Sequence, residues 1–267
     1  MSLLLREIPM SPEKSKSLPG SREEWAALRP SYPTLGGLVA AGTVIISWMA
    51  SLVFLVTREV QEFALWIPPA MLVMTFLYTG LFITAHDGMH GTVAPRFPRL
   101  NRFIGAFCVG AYALFSFSKL KRSHWDHHDH PASEKDPDYH DGEHDGLIRW
   151  YLHFLFGYIT IWQILGMALI FNGLQYLVGI NAINMVLFWI VPSLLSTLQL
   201  FYFGTVLPHR DSDLEFKDQH RARSNDFSPW LSFLTCYHFG YHWEHHDRPD
   251  LPWWRLPAYR RKVSKTQ

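Results

Sequence analysis

Cysteine is almost missing from this chain. Cys108 and Cys236 are the only two in 267 residues, so no cysteine-rich zinc or iron–sulfur site can be built. A disulfide is disfavoured if the segments face the cytoplasm. Charge of one sign is also lacking: 24 Lys and Arg face 23 Asp and Glu. A nucleic-acid binder would usually be strongly basic, so that class is set aside. No flavin or nicotinamide fingerprint is visible. There is no H-E-x-x-H either, because Glu244 lies in H-W-E-H-H, which disfavours a zinc metalloprotease. Leu3-Leu4-Leu5 is too short for the apolar core of a signal peptide, and Arg6, Glu7 and Pro9 follow at once. Repeats and low-complexity segments are absent.

Long apolar runs and histidine are what the chain has in excess. Residues 1–34 read as a polar tail, with an amphipathic helix expected over Glu23–Leu28. Residues 35–267 read as a single membrane domain. Spanning a bilayer core of ~30 Å takes about 20 apolar residues at ~1.5 Å each. Four runs qualify: 35–56, 66–85, 148–171 and 180–207. Residues 103–118 are apolar but shorter and flanked by Arg99, Arg102, Lys119, Lys121 and Arg122, which suits an interfacial or re-entrant helix. Pro192 is expected to kink the fourth span, and Asn184 and Gln199 need partners inside the bundle. The expected fold is an all-α integral membrane protein of about four spans with a histidine-rich cap.

Four spans put both termini on one side. Of the 24 Lys and Arg, only Arg58 then falls in the opposite loops, so the shared face is cytoplasmic by the positive-inside rule. Either the plasma membrane or an internal membrane fits.

Three histidine clusters lie on that face: His86 and His90; His124, His127 and His128; and His242, His245 and His246. Spacings of three and four line one face of a helix, and Pro131 and Pro249 should end the second and third helices. One histidine-bearing surface helix could simply be solvated; three on one membrane face argue for a metal site. Eight imidazoles exceed the needs of one first-row metal, so two metals are expected. A membrane-edge, histidine-rich pair of metals suits iron activating dioxygen. With no redox cofactor motif in the chain, electrons would come from a separate protein.

More specific stretches surround the clusters. They are Ala85–Gly91, His124–Pro131 followed by Asp136-Pro-Asp-Tyr-His140, Leu207-Pro-His-Arg210, and Cys236–His246 running into Leu251-Pro-Trp-Trp-Arg-Leu-Pro257. In these the chain resembles the bacterial and cyanobacterial β-carotene 4-ketolases, within the membrane fatty-acid-desaturase-like di-iron superfamily. The resemblance runs from about His86 to Pro257. The three boxes are shared with desaturases, alkane hydroxylases and carotenoid hydroxylases; D-P-D-Y-H and P-W-W-R-L-P narrow it. Gly88 stands where the family usually has Ala, a mild departure.

The resemblance implies two Fe2+ ions, dioxygen as co-substrate, and His209 as a ninth ligand. It implies two successive hydroxylations at C4 of a β-ionone ring, then loss of water from the geminal diol. β-Carotene would give echinenone and then canthaxanthin; whether zeaxanthin gives astaxanthin is left open. A carotenoid 3-hydroxylase or acyl-lipid desaturase is the alternative within the superfamily, and a membrane metal-binding or transport protein the alternative outside it. Asp87, Asp126 and Asp129 could orient imidazoles, and His130, His140 and His238 could hydrogen-bond around the site. His144 and His220 read as surface residues, and His153 as a bundle or cavity residue. Phe115, Phe117, Trp125, Phe154, Tyr202, Phe203 and Tyr241 are candidate tunnel residues. Ferredoxin is the expected donor, with Arg221, Arg223, Arg260, Arg261 and Lys262 offered either to it or to lipid headgroups.

Overall fold

The structure is a computed structural model that describes residues 34–60, 64–140, 146–210, 216 and 218–264. The tail, the Glu23–Leu28 helix and His144 lie outside the described residues. Everything described is helix, turn or loop.

Helix α1 (Thr34–Val56) and helix α2 (Ile67–His90) are the first two apolar helices of membrane-crossing length. Prolines at its start suit α2, where the first N–H groups need no helical partner. The helix closes on left-handed Gly91 (φ 79°). It runs past the apolar stretch to His90, so the first cluster lies on the helix itself.

Helix α3 (Pro98–Ala113) and helix α4 (Phe117–Asp129) meet at a bend of 100°. Leu114 supplies it with a left-handed backbone (φ 56°), and the Ser116 hydroxyl caps α4 by accepting from Lys119 N. The chain therefore turns sharply between these two helices.

The third apolar run is broken. Helix α5 (Leu147–Tyr158) stops, and a separate helix α6 covers Ile161–Val178. The span expected at 148–171 is thus displaced toward the C-terminus. Thr160 is the cause: its hydroxyl accepts from Gln163 N (3.3 Å), while Gln163 Oε1 accepts from Thr160 N (2.9 Å). This capping box starts a new helix. Gln163 also donates to Ala113 O at 3.1 Å, tying α6 to the end of α3.

Helix α7 (Ala182–His209) is continuous over 28 residues. Pro192 does not break it. A π-helical turn (Val186–Ile190) precedes that proline, and another (Tyr202–Val206) precedes Pro208. The wider turn absorbs the missing N–H and the ring's clash with the preceding turn. Helix α8 (Pro229–Cys236), helix α9 (His242–Asp247) and helix α10 (Leu256–Val263) complete the cap.

Helix α2 packs against α1, α3 and α7. Met74, Tyr78, Leu81, Ile83 and Phe188 are buried at the centre. Trp48, Tyr78 and Tyr112 stack edge to face at 5.6 and 5.5 Å. Polar groups in the apolar helices find partners: Thr79 donates to Gln199 Oε1 (2.6 Å) and meets Ser196 Oγ (2.9 Å). Gln199 also donates to Thr235 O, and Asn184 to Val56 O.

Gly37 marks the closest approach of α1 to the cap. A Cβ there would lie 2.1 Å from Val93 O, whereas at Gly36 nothing lies within 4 Å. Overpacking costs about 1–3 kcal/mol, while Gly→Ala in open helix gains up to ~1 kcal/mol. Gly37→Ala should therefore lower the apparent melting temperature of the detergent-solubilised protein, and Gly36→Ala should hold or raise it. Equal melting of the two variants would contradict this packing.

Candidate metal centre

The clusters meet because each sits at a helix end that points into the cap. His86 and His90 close α2, His124, His127 and His128 close α4, and His209 closes α7. His242, His245 and His246 occupy the short α9. Their ring nitrogens sort into two groups. His86, His90, His124 and His245 form one; His127, His209, His242 and His246 form the other, with the ligand atoms of each group within 4.8 Å of one another. His128 joins the groups. Its Nε2 lies 3.1 Å from His124 Nε2 and 3.0 Å from His245 Nε2, and its ring stacks on His246 at 4.2 Å.

The pattern of contacts is nitrogen to nitrogen. His86 and His245, His90 and His124, His127 and His246, and His242 and His246 face each other through Nε2 at 3.1, 2.7, 3.1 and 3.1 Å. Two ligands at right angles on a metal held at ~2.1 Å stand about 3 Å apart, so this convergence fits two metal spheres.

The tautomers agree. Asp136 brings both carboxylate oxygens to 2.9 Å from His127 Nδ1, which places the proton there and leaves Nε2 for the cluster. His209 Nδ1 donates to Arg221 O at 2.8 Å. Its Nε2 is buried without a hydrogen-bond partner, aimed among His127 and His242, whose ring centroids are each 4.8 Å away. An orphaned lone pair in such company is placed to serve as a ligand atom.

Burial, and then the neighbouring imidazoles, push His124, His128, His242, His245 and His246 below the ordinary histidine range. Neutral rings are what metal binding requires. Burial would lower His127 as well, but the Asp136 carboxylate outweighs it and lifts the ring to about 9. The exchange is mutual: burial would raise Asp136, but His127 holds it low. Burial and the Asp136 charge together raise Asp138.

The supporting residues differ in part from those expected. Asp87 is buried, with Oδ1 3.8 Å from His86 Nδ1 and Oδ2 accepting from Trp253 N at 3.3 Å. Asp126, Asp129 and His130 are exposed and turn away, because α4 shows the cluster its other face. His140 stacks on Tyr139 (4.1 Å) and Trp150 (4.9 Å), which braces the loop but brings no nitrogen to the centre. His238 does not continue the face of α9. Left-handed Tyr237 and His238 (φ 48° and 62°) break the helix, and His238 stacks parallel to Tyr241. Burial lowers it to about 4. His153 is exposed and does not line the apolar cavity described below. His220 is half-buried, not a free surface group, with Nε2 3.9 Å from Asp247 Oδ1.

Several site residues escape a reading by spacing. Asp136 and Asp138 lie outside the boxes, legible only through the D-P-D-Y-H stretch. Buried Glu244 pairs with Arg260 at 2.8 Å and accepts from the Ser224 hydroxyl, anchoring α9. Arg221 donates to Ala132 O at 2.9 Å and Arg223 to Arg210 O at 2.8 Å. Three of the five basic residues offered to a redox partner, Arg221, Arg223 and Arg260, are therefore engaged in the cap. Arg261 and Lys262 are exposed.

An apolar cavity abuts both groups. His86, His124, His127 and His242 form its metal end, and Phe82, Met89, Tyr112, Phe115, Phe154 and Phe239 line much of the rest. Of the aromatics expected at a tunnel, Phe115 and Phe154 line it. Phe117 is instead packed against Gly105, Trp125 against His90, and Phe203 against Phe227. The Tyr241 hydroxyl donates to Phe227 O, and Tyr202 is exposed.

The description "Fatty acid desaturase" matches residues 63–164 and 158–267. Among relatives, the "Beta-carotene ketolase" of Haematococcus lacustris is 44% identical over 201 residues, 73% of this chain and 62% of that protein. The "Beta-carotene ketolase" of Paracoccus sp. (strain N81106 / MBIC 01143) is 40% identical over 247 residues, 88% of this chain and 97% of that protein. The "Zeaxanthin 4-ketolase" of Chlamydomonas reinhardtii is 39% identical over 252 residues, 90% of this chain and 56% of that protein. The chain thus spans 62% of the length of the Haematococcus relative and 56% of the Chlamydomonas one. No solved structure matches.

Loss of a carboxylate behind a metal-bound histidine typically weakens binding 10- to 100-fold. Asp136→Asn should therefore reduce metal affinity by roughly that factor, whereas Asp126→Asn, at an exposed site, should not. Metal titration of purified protein followed by elemental analysis measures both; equal affinities would remove Asp136 from the centre.

Proposed function

Because the chain belongs to the fatty acid desaturase family, we propose that it is a membrane di-iron oxygenase acting as a β-carotene 4-ketolase. One observation carries the reading. An apolar, aromatic-lined cavity ends on imidazoles of both groups. The names of its relatives give the chemistry that such a cavity would serve.

The nine ligands proposed are His86, His90, His124, His127, His128, His209, His242, His245 and His246. Two iron ions held there would supply dioxygen activation, with electrons from a ferredoxin-type carrier. The protein's part is to bind, orient and dry. A β-ionone ring offers no polar handle, so shape must hold it. Phe82, Phe115, Phe154 and Phe239 present ring faces and edges to it, and their packing keeps water from the reacting carbon. Asp136 and the Arg221 carbonyl fix the tautomers of His127 and His209, so both nitrogens stay aimed through each round. Two hydroxylations at C4 followed by loss of water would leave the ketone. A second pass on the other ring would take echinenone to canthaxanthin.

The four long apolar helices support placement in a bilayer. The bent pair α3–α4 returns to the side where α2 ends, since His90 and His124 meet at 2.7 Å. The links between α1 and α2 and between α6 and α7 carry Arg58 as their only Lys or Arg. This supports a cytoplasmic metal face, with the membrane plasma or internal. On that face, exposed Arg261 and Lys262 suit an acidic electron carrier.

Expression in a β-carotene-producing host should yield echinenone and canthaxanthin, with about two irons per chain in the purified protein. Unchanged pigment from folded, iron-loaded protein would refute the reading. 3-Hydroxylated pigment would assign a hydroxylase, and altered acyl chains a desaturase. Metal flux into proteoliposomes would assign a transporter.

A further inference from the structure

The cavity is not apolar throughout. Beside the imidazoles it is lined by Asp138 and Tyr158. The Tyr158 hydroxyl donates to Asp138 Oδ1, the one hydrogen bond to that carboxylate among the described residues. Asp138 Oδ2 stands 3.9 Å from His127 Nδ1, too far to accept from it. A carboxylate offers about four lone-pair sites, so most of this group's accepting capacity is unused.

Asp136 shows the contrast. It accepts from His127 Nδ1, Ala132 N and Asp138 N, all at 2.9 Å. Its side chain is 1% exposed, while that of Asp138 is 16% exposed. One carboxylate is fully used by the scaffold, and its neighbour faces the substrate space. A pocket for a hydrocarbon ring alone has no use for a carboxylate and a phenol at its reacting end, where unpaired polar groups are costly.

Building on the ketolase reading, we propose that Asp138 and Tyr158 form a subsite for the ring hydroxyl installed in the first round. The alcohol O–H would donate to the Asp138 carboxylate, and the Tyr158 oxygen can accept from a second hydroxyl. The carbon carrying the hydroxyl then stays at the metal end with its remaining hydrogen toward His127 and His242. The same contact favours the alcohol over the parent hydrocarbon, so the intermediate is kept for its second oxidation. By this reading both residues touch the substrate, in addition to any support they give His127.

The test compares β-carotene with its 4-hydroxylated derivative, using full-length iron-loaded protein and an external reductant. Wild type, Tyr158→Phe and Asp138→Asn are assayed for each substrate. Exchanging the charged acceptor for a neutral amide in Asp138→Asn should raise the ratio of KM for alcohol to KM for β-carotene by about tenfold, and Tyr158→Phe, which leaves the carboxylate without its positioning partner, should raise it as well. In cells the alcohol should accumulate relative to the ketone. A purely structural role would lower both activities together, in step with iron content. If neither variant changes the ratio, or if both substrates lose activity in parallel, the subsite is disproved. If wild type oxidises neither substrate, the ketolase reading itself falls and the subsite with it.

Discussion

Nine imidazoles converge in the cap only if each keeps one ring nitrogen pointed inward, and the rest of the cap is arranged around that demand. A buried ring has two nitrogens, and the outward one also wants a partner. His127 finds Asp136, His209 finds the Arg221 carbonyl, and His86 has Asp87 near its Nδ1. Most of these partners come from loops beyond the boxes. That is a physical reason for the boxes to sit at helix ends, where a loop can reach back. Left-handed Arg221 (φ 42°) turns its carbonyl to His209, while its guanidinium holds Ala132 beside the second box. One residue thereby couples two histidine-bearing segments.

Such convergence also needs helices held in register, and apolar packing alone slides easily in lipid. The polar ties between α2 and α7 resist sliding. Thr79, Ser196 and Gln199 form one cluster, and Gln199 reaches on to Thr235 in α8. Hydrogen bonds of this kind between membrane helices contribute roughly 0.6 kcal/mol each on average. They add modest stability, but they fix which turn of α7 faces α2. The π-helical turn before Pro208 then sets the orientation of the last turn, which carries His209.

Those two levels explain what the sequence discloses. The three boxes and the first, second and fourth apolar helices are legible, because regular spacing and run length report local structure directly. The third run misleads because its apolar residues continue across a break. Thr160 and Gln163 mark that break, yet a capping box is easily lost within a hydropathy window. His209 has no periodic partner, so spacing cannot find it; only the resemblance does. Asp126 and Asp129 adjoin ligands in sequence but face solvent, while Asp136, nine residues after His127, is the carboxylate that meets it. Proximity along a helix end is a poor guide once the chain turns out of the helix. The aromatics fail for the same reason: a lone Phe or Tyr carries no signal of which wall it lines.

The cavity wall shows how tightly its shape is set. Phe239 stands with His86 at 4.9 Å and His242 at 5.1 Å, so it touches one member of each metal group. It can stand there only because α7 has Gly204 opposite: a Cβ at that position would come within 2.2 Å of the Phe239 ring. Gly204 in turn lies in the π-helical turn that leads to His209. A single local widening of α7 thus opens space for the aromatic wall and orients His209 five residues later. The shape of the cavity and the placement of His209 are therefore coupled through backbone rather than side-chain contacts. A larger residue at 204 would disturb both, even though it is neither a ligand nor polar.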